Sequence, residues 1–248
     1  MRFSVITVCF NSEETIQDTL DSVRSQNYLD LEHIIIDGGS SDRTIELVEA
    51  YAKGCEYPVL IQSECDNGIY DAMNKGILLS SGSYISFLNS DDVFAAPDIL
   101  LKIAVCDGMT MNLDVLYGDI HLYDPEFRVL KRRWIAGNFD KKSLWMGWMP
   151  PHPSLFVKAA LQKRTLFDSS FSIQSDYGFC WDLFSNDSVT SFNYEFVAVH
   201  MRIGGASTSG ILSVTKGNIE AYLLLKKRKV RFKLWIITLK LVRKISQF

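Results

Sequence analysis

The sequence predicts an α/β protein whose core is a mostly parallel sheet flanked by helices. Short apolar, β-branched segments alternate with segments in which apolar residues recur at helical spacing, and this order repeats through residues 1–110. Such alternation is typical of right-handed βαβ units. A hydrophobic content of 47% with 22% charged residues is that of a globular protein, which excludes disordered, collagen-like and disulfide-stapled classes.

Each predicted strand of the first half is followed by a predicted helix. The strands are the apolar runs 3–9, 33–36, 58–62 and 84–88. The helices are marked by apolar residues three or four positions apart: Ile16, Leu20 and Val23; Ile45 and Val48; Met73 and Ile77; and a last one that opens at Pro97.

The second half of the chain is less regular. The patterns predict an antiparallel pair over 115–130, a loop over 131–153, a strand near 154–157, a helix after Ser175 and a strand over 189–199. No linker or internal repeat interrupts this part, so 1–215 is predicted as one domain. Residues 216–248 form a separate predicted tail.

Polar side chains follow three of the predicted strands where those strands end. They are Asn11 and Glu13, then Asp37, then Asp91 and Asp92. Ligands of open α/β sheets bind beyond the carboxyl ends of the strands, so these ends predict one shared crevice. Each aspartate alone could equally be a cap or turn residue.

The absence of two phosphate-binding motifs narrows the choice of ligand class. No GxGxxG follows the first strand and no GxxxxGK[ST] occurs, so glycine-rich phosphate cradles are not predicted. A bound nucleotide diphosphate would then need another source of positive charge. Adjacent Asp91 and Asp92 offer the hard oxygen ligands that Mg²⁺ or Mn²⁺ prefers.

Four segments of the chain resemble family-two glycosyltransferases, most closely the bacterial enzymes that build surface polysaccharides, such as the colanic acid group. They are SVITVCFN at 4–11, IDGGSSD at 36–42, DNGIYDAMNKG at 66–76 and FLNSDD at 87–92. The resemblance covers roughly residues 1–210. It implies a Rossmann-like GT-A fold, a nucleotide-sugar donor with a UDP-sugar foremost, and a divalent cation, Mn²⁺ or Mg²⁺.

The resemblance also implies roles for individual residues. The nucleotide-sugar-binding positions are Thr7, Val8, Phe10, Asn11, Glu13, Asp37, Asp66, Lys75 and Asp91. Asp37 would contact the base and Asp66 the ribose or donor. Asp91 and Asp92 match the DxD-type motif and would bind the metal, Asp92 foremost, although the motif here begins with Asn89.

Inversion at an anomeric carbon requires a base that deprotonates the acceptor hydroxyl. Ser175-Asp176-Tyr177 resembles the acidic base motif of the family, which makes Asp176 the expected catalytic base. The family more often has Glu where this chain has Ser175. Alternatively, Asp176 only caps a helix, where a carboxylate is favoured by the helix dipole.

Acceptor residues are implied by two further motifs. His152 resembles an acceptor-side position of the family, or else it is an exposed loop histidine. Gly205 and Ser207 lie in a segment that resembles the GGxS loop. The QxxRW signature of processive synthases is absent, so one sugar is expected to be transferred at a time. Residues 1–110 would thus bind the nucleotide sugar, and 111–215 the acceptor.

The predicted tail, 216–248, carries ten basic residues and one acidic residue, although the whole chain has a net charge of −3. From Phe232 onward its basic and apolar residues fall on opposite faces of a helix. We expect this helix to lie on an anionic membrane surface. The family resemblance implies a polyprenyl-linked or glycan acceptor, which would be found there. Alternatively, its apolar face packs against the body or a partner subunit.

The remaining expectations concern location and rival functions. Five cysteines without a CxxC spacing favour a reducing, cytosolic compartment. The family resemblance, together with the basic tail, implies the inner face of a bacterial inner membrane. A nucleic-acid partner is not expected, because the acidic body would repel phosphates. The rivals are a sugar nucleotidyltransferase and a catalytically silent, membrane-peripheral nucleotide-binding partner.

Overall fold

The first four strands form the parallel half of a single sheet. The computed structural model describes residues 1–110, 113–204 and 211–245. Strands β1 (Phe3–Cys9), β2 (Leu31–Asp37), β3 (Val59–Ser63) and β4 (Tyr84–Phe87) lie in the order β3-β2-β1-β4, all parallel. Every residue of β1 and β2 is buried, because helices cover both faces of this half.

The connecting helices are those that the apolar spacing predicts. They are α1 (Ile16–Arg24), α2 (Thr44–Lys53), α3 (Ile69–Leu79) and α4 (Ile99–Thr110). Helix α1 buries Ile16, Leu20 and Val23, and α3 buries Met73 and Ile77. The amphipathic stripes therefore face the sheet as expected.

The second half extends the same sheet with strands that run in both directions. They are β5 (Val93–Phe94), β6 (Val115–Tyr123), β7 (Leu130–Trp134), β8 (Phe156–Lys158) and β9 (Ser191–Arg202). In the described part of the chain the order continues from β4 through β8, β6 and β9 to β5, with β7 paired to β6. Strand β8 is antiparallel to both β4 and β6, which brings the segment before β8 to the carboxyl end of β4.

Two details of the second half differ from the sequence prediction. The antiparallel pair spans β6 and β7, with Asp124 accepting hydrogen bonds from the backbone N–H groups of Arg128 and Val129 in the turn. The stretch 131–153 is not all loop, since it contains most of β7 and a helix, α5 (Lys141–Trp145). Both elements are short, and α5 depends on a local cap from Asp140, so neither produces a periodic signal.

The remaining helices pack on one face of the second half. They are α6 (Ala159–Gln162), α7 (Ser175–Ser185), α8 (Ile211–Lys227) and α9 (Lys233–Ile245). Buried side chains of α8 and α9, such as Leu224 and Ile236, belong to the same hydrophobic cluster as Tyr177 of α7. The helices of the tail are therefore packed on the body, while the division at 215/216 stays a prediction.

Helix α9 turns a different face to the body than the sequence suggests. Ile236 and Ile237 are buried, whereas Leu234, Trp235 and Val242 are exposed. The apolar face that the sequence singles out is thus not covered by the described parts of the body. No helix among the described residues is both long and apolar enough to cross a membrane.

Candidate active site

Asp37, the last residue of β2, is the most heavily hydrogen-bonded carboxylate at the edge of the sheet. It is fully buried, and it accepts hydrogen bonds from Gly39 N at 3.1 Å, Ser40 N at 3.0 Å, Ser40 Oγ and Ser63 Oγ at 2.7 Å. Burial alone would raise the pKa of Asp37, but the bonds from Ser40, Ser63 and the backbone lower it below its ordinary value. Asp37 is therefore ionised and shapes the loop that follows β2.

The segment after β1 is tied to that loop. Asn11 adopts a left-handed backbone conformation, with φ of 47°, and its Oδ1 accepts a hydrogen bond from Ser41 N at 2.9 Å. Glu13 Oε2 accepts one from Arg43 N at 3.0 Å. These bonds hold the loops after β1 and β2 together at the carboxyl end of the sheet.

The side chains just before this loop are divided between core and crevice. Thr7 is fully buried and donates a hydrogen bond to Leu88 O at 2.8 Å, and Val8 is buried beside it. Phe10 is 62% exposed. Of the three, Phe10 therefore has the side chain that a ligand in the crevice can reach.

Gly38 lets Phe10 and Asp66 approach each other. A Cβ at Gly38 would lie 2.7 Å from Asp66 Oδ2 and 3.3 Å from Phe10 Cδ2, so a side chain at this position would push the two residues away. Asp66 Oδ1 accepts a hydrogen bond from Gly68 N at 2.8 Å. Lys75 pairs with Glu64 at 2.8 Å on the rim beyond Asp66. Phe10 and Asp66 thus converge beside Gly38, and Lys75 also donates a hydrogen bond to Cys65 O, next to Asp66, at 3.4 Å.

Asp91 and Asp92 follow β4 at the same edge of the sheet. Asp92 is 0% exposed, and its Oδ1 accepts a hydrogen bond from Arg202 N at 3.3 Å. Asp91 is partly exposed. Burial, and then the charge of Asp91, raise the pKa of Asp92 well above its ordinary value, and burial also raises that of Asp91. The ionised form of both carboxyls is therefore disfavoured by their surroundings, and a bound cation would favour it.

The donors and acceptors around this pair suit a cation. Asp92 Oδ2 and Asn89 Oδ1 are buried acceptors that receive no hydrogen bond within the described ranges. Within those ranges no group of three or more Asp, Glu, His or Cys side chains could hold a metal. Asp91 and Asp92 could therefore hold a divalent cation whose other ligands are substrate oxygens and water, a usual arrangement for Mg²⁺. Exposure favours Asp91 as the side chain that reaches such an ion.

Arg202, the last residue of β9, lies against this carboxylate pair and was not foreseen from the sequence. Its guanidinium pairs with Asp18 and lies 4.3 Å from the centre of the Phe127 ring. Its charge partly offsets the rise in the pKa of Asp91 and Asp92. A lone arginine at the end of an irregular strand gives no sequence signal of such a role.

Asp176 lies in the first turn of α7, across the sheet edge from the nucleotide-side loops. Its Oδ1 accepts a hydrogen bond from Tyr70 Oη at 3.2 Å and one from Tyr177 N at 2.7 Å. Tyr70 Oη also donates to Ile173 O at 2.8 Å, and burial followed by the charge of Asp176 raises the pKa of Tyr70, which keeps its proton. Among the described residues no donor contacts Asp176 Oδ2, so that oxygen can accept a proton.

His152 lies beneath Asp176 and is not an exposed loop histidine. It is 6% exposed and stacks on Phe87 with ring centres 5.3 Å apart. Burial lowers the pKa of His152, which the charge of Asp176 opposes. His152 therefore belongs to the core beside the first turn of α7. Gly205 and Ser207, the other expected acceptor residues, lie outside the described residues.

A cavity of about 180 Å³ opens beside Asp176. Its walls combine apolar side chains with basic ones, notably Trp148, Met149, Val214, Arg132, Lys240 and Arg243. Lys240 and Arg243 come from α9, so the tail contributes directly to this wall. Neither the cavity nor the part that α9 plays in it could be foreseen from sequence spacing.

A mixed α/β sheet with carboxylates at the carboxyl end of its parallel strands agrees with the GT-A fold that the sequence resemblance implies. Residues 4–169 match the sequence profile described as glycosyl transferase family 2. A PGL/p-HBAD biosynthesis glycosyltransferase of Mycobacterium bovis is 30% identical over 209 residues, which cover 84% of this chain and 79% of that protein. The chain therefore belongs to glycosyl transferase family 2. Asp176 lies beyond the residues that match the family profile.

Solved structures share the fold at low identity. TarS of S. aureus, residues 1–349 in complex with UDP-GlcNAc, superposes with a TM-score of 0.69 at 19% identity, over 99% of this chain and 73% of that one. The chain spans only 39% of the longer TarS structure. The mannosyltransferase PcManGT of Pyrobaculum calidifontis, in complex with GDP-Man and Mn²⁺, gives 0.70 at 14% identity, over 96% and 68%. The predicted GT-A fold class and glycosyltransferase activity are confirmed.

Proposed function

We propose that this glycosyltransferase is inverting, metal-dependent and non-processive. We also propose that its donor is a nucleotide diphosphate sugar, and a UDP-sugar is the first candidate. The observation that carries the proposal is that Asp37, Asp91 and Asp92 follow parallel strands at the same end of the sheet. There the loops after β1 and β4 are joined by Ser12 Oγ and Ser90 Oγ, which lie 2.9 Å apart. The complexes of TarS with UDP-GlcNAc and of PcManGT with GDP-Man and Mn²⁺ support it through the shared fold.

Asp91 and Asp92 would hold the cation. When bound, a divalent ion supplies Lewis-acid stabilisation of the negative charge that develops on the departing diphosphate. Phe10, Asn11 and Asp66 line the space in which the nucleotide would lie. The carboxylate of Asp37 is saturated by hydrogen bonds, and it keeps the loop after β2 in place beside the nucleobase of the donor.

Asp176 would act as the general base. Its Oδ2 takes the proton of the acceptor hydroxyl as the acceptor oxygen bonds to the anomeric carbon. The bond between that carbon and the diphosphate oxygen breaks on the opposite side, and its electron pair leaves with the diphosphate, so the configuration inverts. Tyr70 fixes Oδ1 through its hydroxyl, which orients the carboxylate for this transfer.

The cavity beside Asp176 would receive the reacting end of the acceptor. At about 180 Å³ it is smaller than the ~300–1,000 Å³ of sites that enclose a whole small ligand. Its basic residues Arg132, Lys240 and Arg243 suit a phosphate-bearing acceptor, and its apolar wall suits a lipid or a sugar face. A polyprenyl-linked sugar, or a glycan end, meets both requirements, as surface-polysaccharide synthesis would need.

The exposed face of α9 would rest on an anionic membrane. Leu234, Trp235 and Val242 are exposed there, and Lys229 and Arg231 lie on the segment that leads into the helix. Apolar side chains flanked by basic ones are typical of helices that lie in the interface of anionic lipids. We therefore place the enzyme at the cytoplasmic face of the bacterial inner membrane, where a lipid-linked acceptor would lie close to the cavity.

Two rival functions remain to be separated from this one. A sugar nucleotidyltransferase is disfavoured by the family to which the chain belongs. A catalytically silent partner would keep the nucleotide pocket and bind donor without turning it over. Hydrolysis of the donor in the presence of Mn²⁺ distinguishes the active enzyme from the silent partner.

The test combines binding and turnover. Nucleotide sugars are screened by thermal shift with Mn²⁺ and with EDTA, and a donor at 100 times its Kd should add about 2.7 kcal/mol of stability only when the metal is present. Asp176→Asn should keep this shift but lower transfer by about 10²–10⁴-fold. Asp187→Asn, which alters an exposed ion pair with Lys141, is the matched control. Full transfer by Asp176→Asn would refute the base assignment.

A further inference from the structure

Glu220 is the single acidic residue of the basic tail, and it points into the body. It is 8% exposed on α8. Its Oε1 accepts hydrogen bonds from Ser172 N at 3.2 Å and Ser172 Oγ at 2.8 Å, and its Oε2 accepts from Ile173 N at 2.7 Å and Gln174 N at 3.1 Å. One carboxylate therefore binds three consecutive backbone N–H groups immediately before α7.

This contact adds negative charge near the start of α7. The residue that precedes the helix, Gln174, makes no capping hydrogen bond with its own side chain, and Asp176 is the acidic residue of the first turn. A negative charge is favoured at a helix N-terminus. Burial would raise the pKa of Glu220, but the bonds from Ser172, Ile173 and Gln174 lower it, so Glu220 is ionised at neutral pH. Glu220 therefore adds a second carboxylate, from another helix, to that of Asp176.

The segment 172–174 is also held by two other residues. Lys240 of α9 donates a hydrogen bond to Gln174 Oε1 at 2.5 Å and lies 3.9 Å from the centre of the Tyr177 ring. From the opposite side, Tyr70 of α3 donates to Ile173 O at 2.8 Å. Both contacts therefore hold the backbone close to Asp176, which is two residues beyond the segment.

We propose that Glu220 is a positioning residue for the transfer reaction, because it fixes the segment from which Asp176 projects. The tail would then be part of the active site and not a detachable anchor. The inference rests on the proposed role of Asp176 as the base. A displacement of about 1 Å of a reacting group can cost 100-fold in rate. A loosened segment would therefore lower kcat more than it weakens donor binding.

The test compares Glu220→Gln with a matched variant in the full-length protein. Glutamine keeps the volume but loses the charge and places N–H groups against backbone donors. We expect kcat to fall about 10- to 100-fold while the donor KM and the Mn²⁺-dependent thermal shift stay within twofold of the parent. Asp182→Asn, which weakens another α7–α8 contact through Arg228, should keep its kcat.

A second arm shows whether Glu220 acts through Asp176. In the Asp176→Asn background, Glu220→Gln should leave the residual transfer unchanged, because the residue that it positions is gone. Unchanged kcat in Glu220→Gln alone, or equal losses of kcat and donor affinity, would overturn the inference. If Glu220→Gln does not fold, Ser172→Ala decides: it removes one of the four hydrogen bonds, and a kcat equal to that of the parent would then overturn it.

The outcomes keep the two proposals apart. Transfer that survives Asp176→Asn refutes the base assignment, whatever Glu220→Gln does. If the Asp176→Asn enzyme is inactive and the Glu220→Gln enzyme is fully active, only the positioning role is refuted.

Discussion

Two aspartates of the site show how hydrogen bonding decides what a carboxylate can do. Asp37 receives donors on both oxygens, from Gly39, Ser40 and Ser63, so neither oxygen is left for chemistry. Asp176 receives its two donors on Oδ1 alone. The first carboxylate therefore serves the shape of a loop, and the second keeps an oxygen that can take a proton.

The hydroxyl of Tyr70 is the first place to test this distinction. In Tyr70→Phe, Ile173 O loses its donor and Asp176 loses one of two, so we expect a stability loss of about 1–3 kcal/mol. We also expect kcat to fall about tenfold with unchanged donor binding, measured by steady-state transfer and donor titration. Tyr57→Phe is the control, since its buried hydroxyl bonds to Tyr51 and not to Asp176. A kcat loss of equal size in Tyr57→Phe would contradict the role of Tyr70.

The residues that the sequence revealed and those that it hid differ in the range of their interactions. Asp37 and Asp91 stand at the ends of predicted strands, whereas Asp176 is singled out only by its resemblance to a family motif. Tyr70 and Glu220 act on residues more than 40 positions away, through hydrogen bonds that no local pattern encodes. The sequence could thus point to candidate residues, but it could not show the contacts that position them.

Helix α9 shows the same limit at the level of the element. Its periodicity predicts an amphipathic helix, but the helix has two apolar stripes, one with Ile236 and Ile237 and another with Leu234, Trp235 and Val242. Only tertiary packing decides which stripe is covered. The packing depends on Gly147, because a Cβ there would lie 2.4 Å from Lys240 N and 2.7 Å from Ile236 O.

Replacing Gly147 with alanine should force α9 away from the body. Gly147 has a φ of +71°, so alanine adds a conformational cost of about 1–2 kcal/mol to an overpacking cost of about 1–3 kcal/mol. We expect a loss of at least about 2 kcal/mol, or ~4–8 °C in Tm, by denaturant and thermal unfolding. Gly137→Ala separates the two costs, since Gly137 has a φ of +67° with nothing within 4 Å of its Cβ position. Equal losses in both variants would show that α9 does not press on this loop.

For the whole molecule, the regular and irregular halves of the sheet explain which parts of the fold were predictable. Strands β1 to β4 are buried runs joined by amphipathic helices, and both patterns are strong. Strands β5, β7 and β8 hold two, five and three residues, and they are specified by their partners across the sheet. The surroundings of the cavity beside Asp176 are built from such pieces together with α8 and α9, which is why the cavity emerges only in three dimensions.

The exposed stripe of α9 gives the molecule a surface whose partner can be tested directly. Deleting the tail would also remove Glu220 and Lys240 from the site, so we propose Leu234→Ser with Trp235→Ser in place of a truncation. Sedimentation with vesicles that contain anionic lipid should fall at least tenfold, because two large apolar side chains would no longer be buried in the interface. Leu29→Ser with Leu78→Ser is the matched control, since these leucines are 60% and 63% exposed elsewhere.

Binding to neutral vesicles should be weak for all variants. Raising the salt concentration should weaken binding of the parent to anionic vesicles, because salt screens the charges of the basic residues around the stripe. If the doubly substituted protein sediments with anionic vesicles as the parent does, the stripe does not face a membrane.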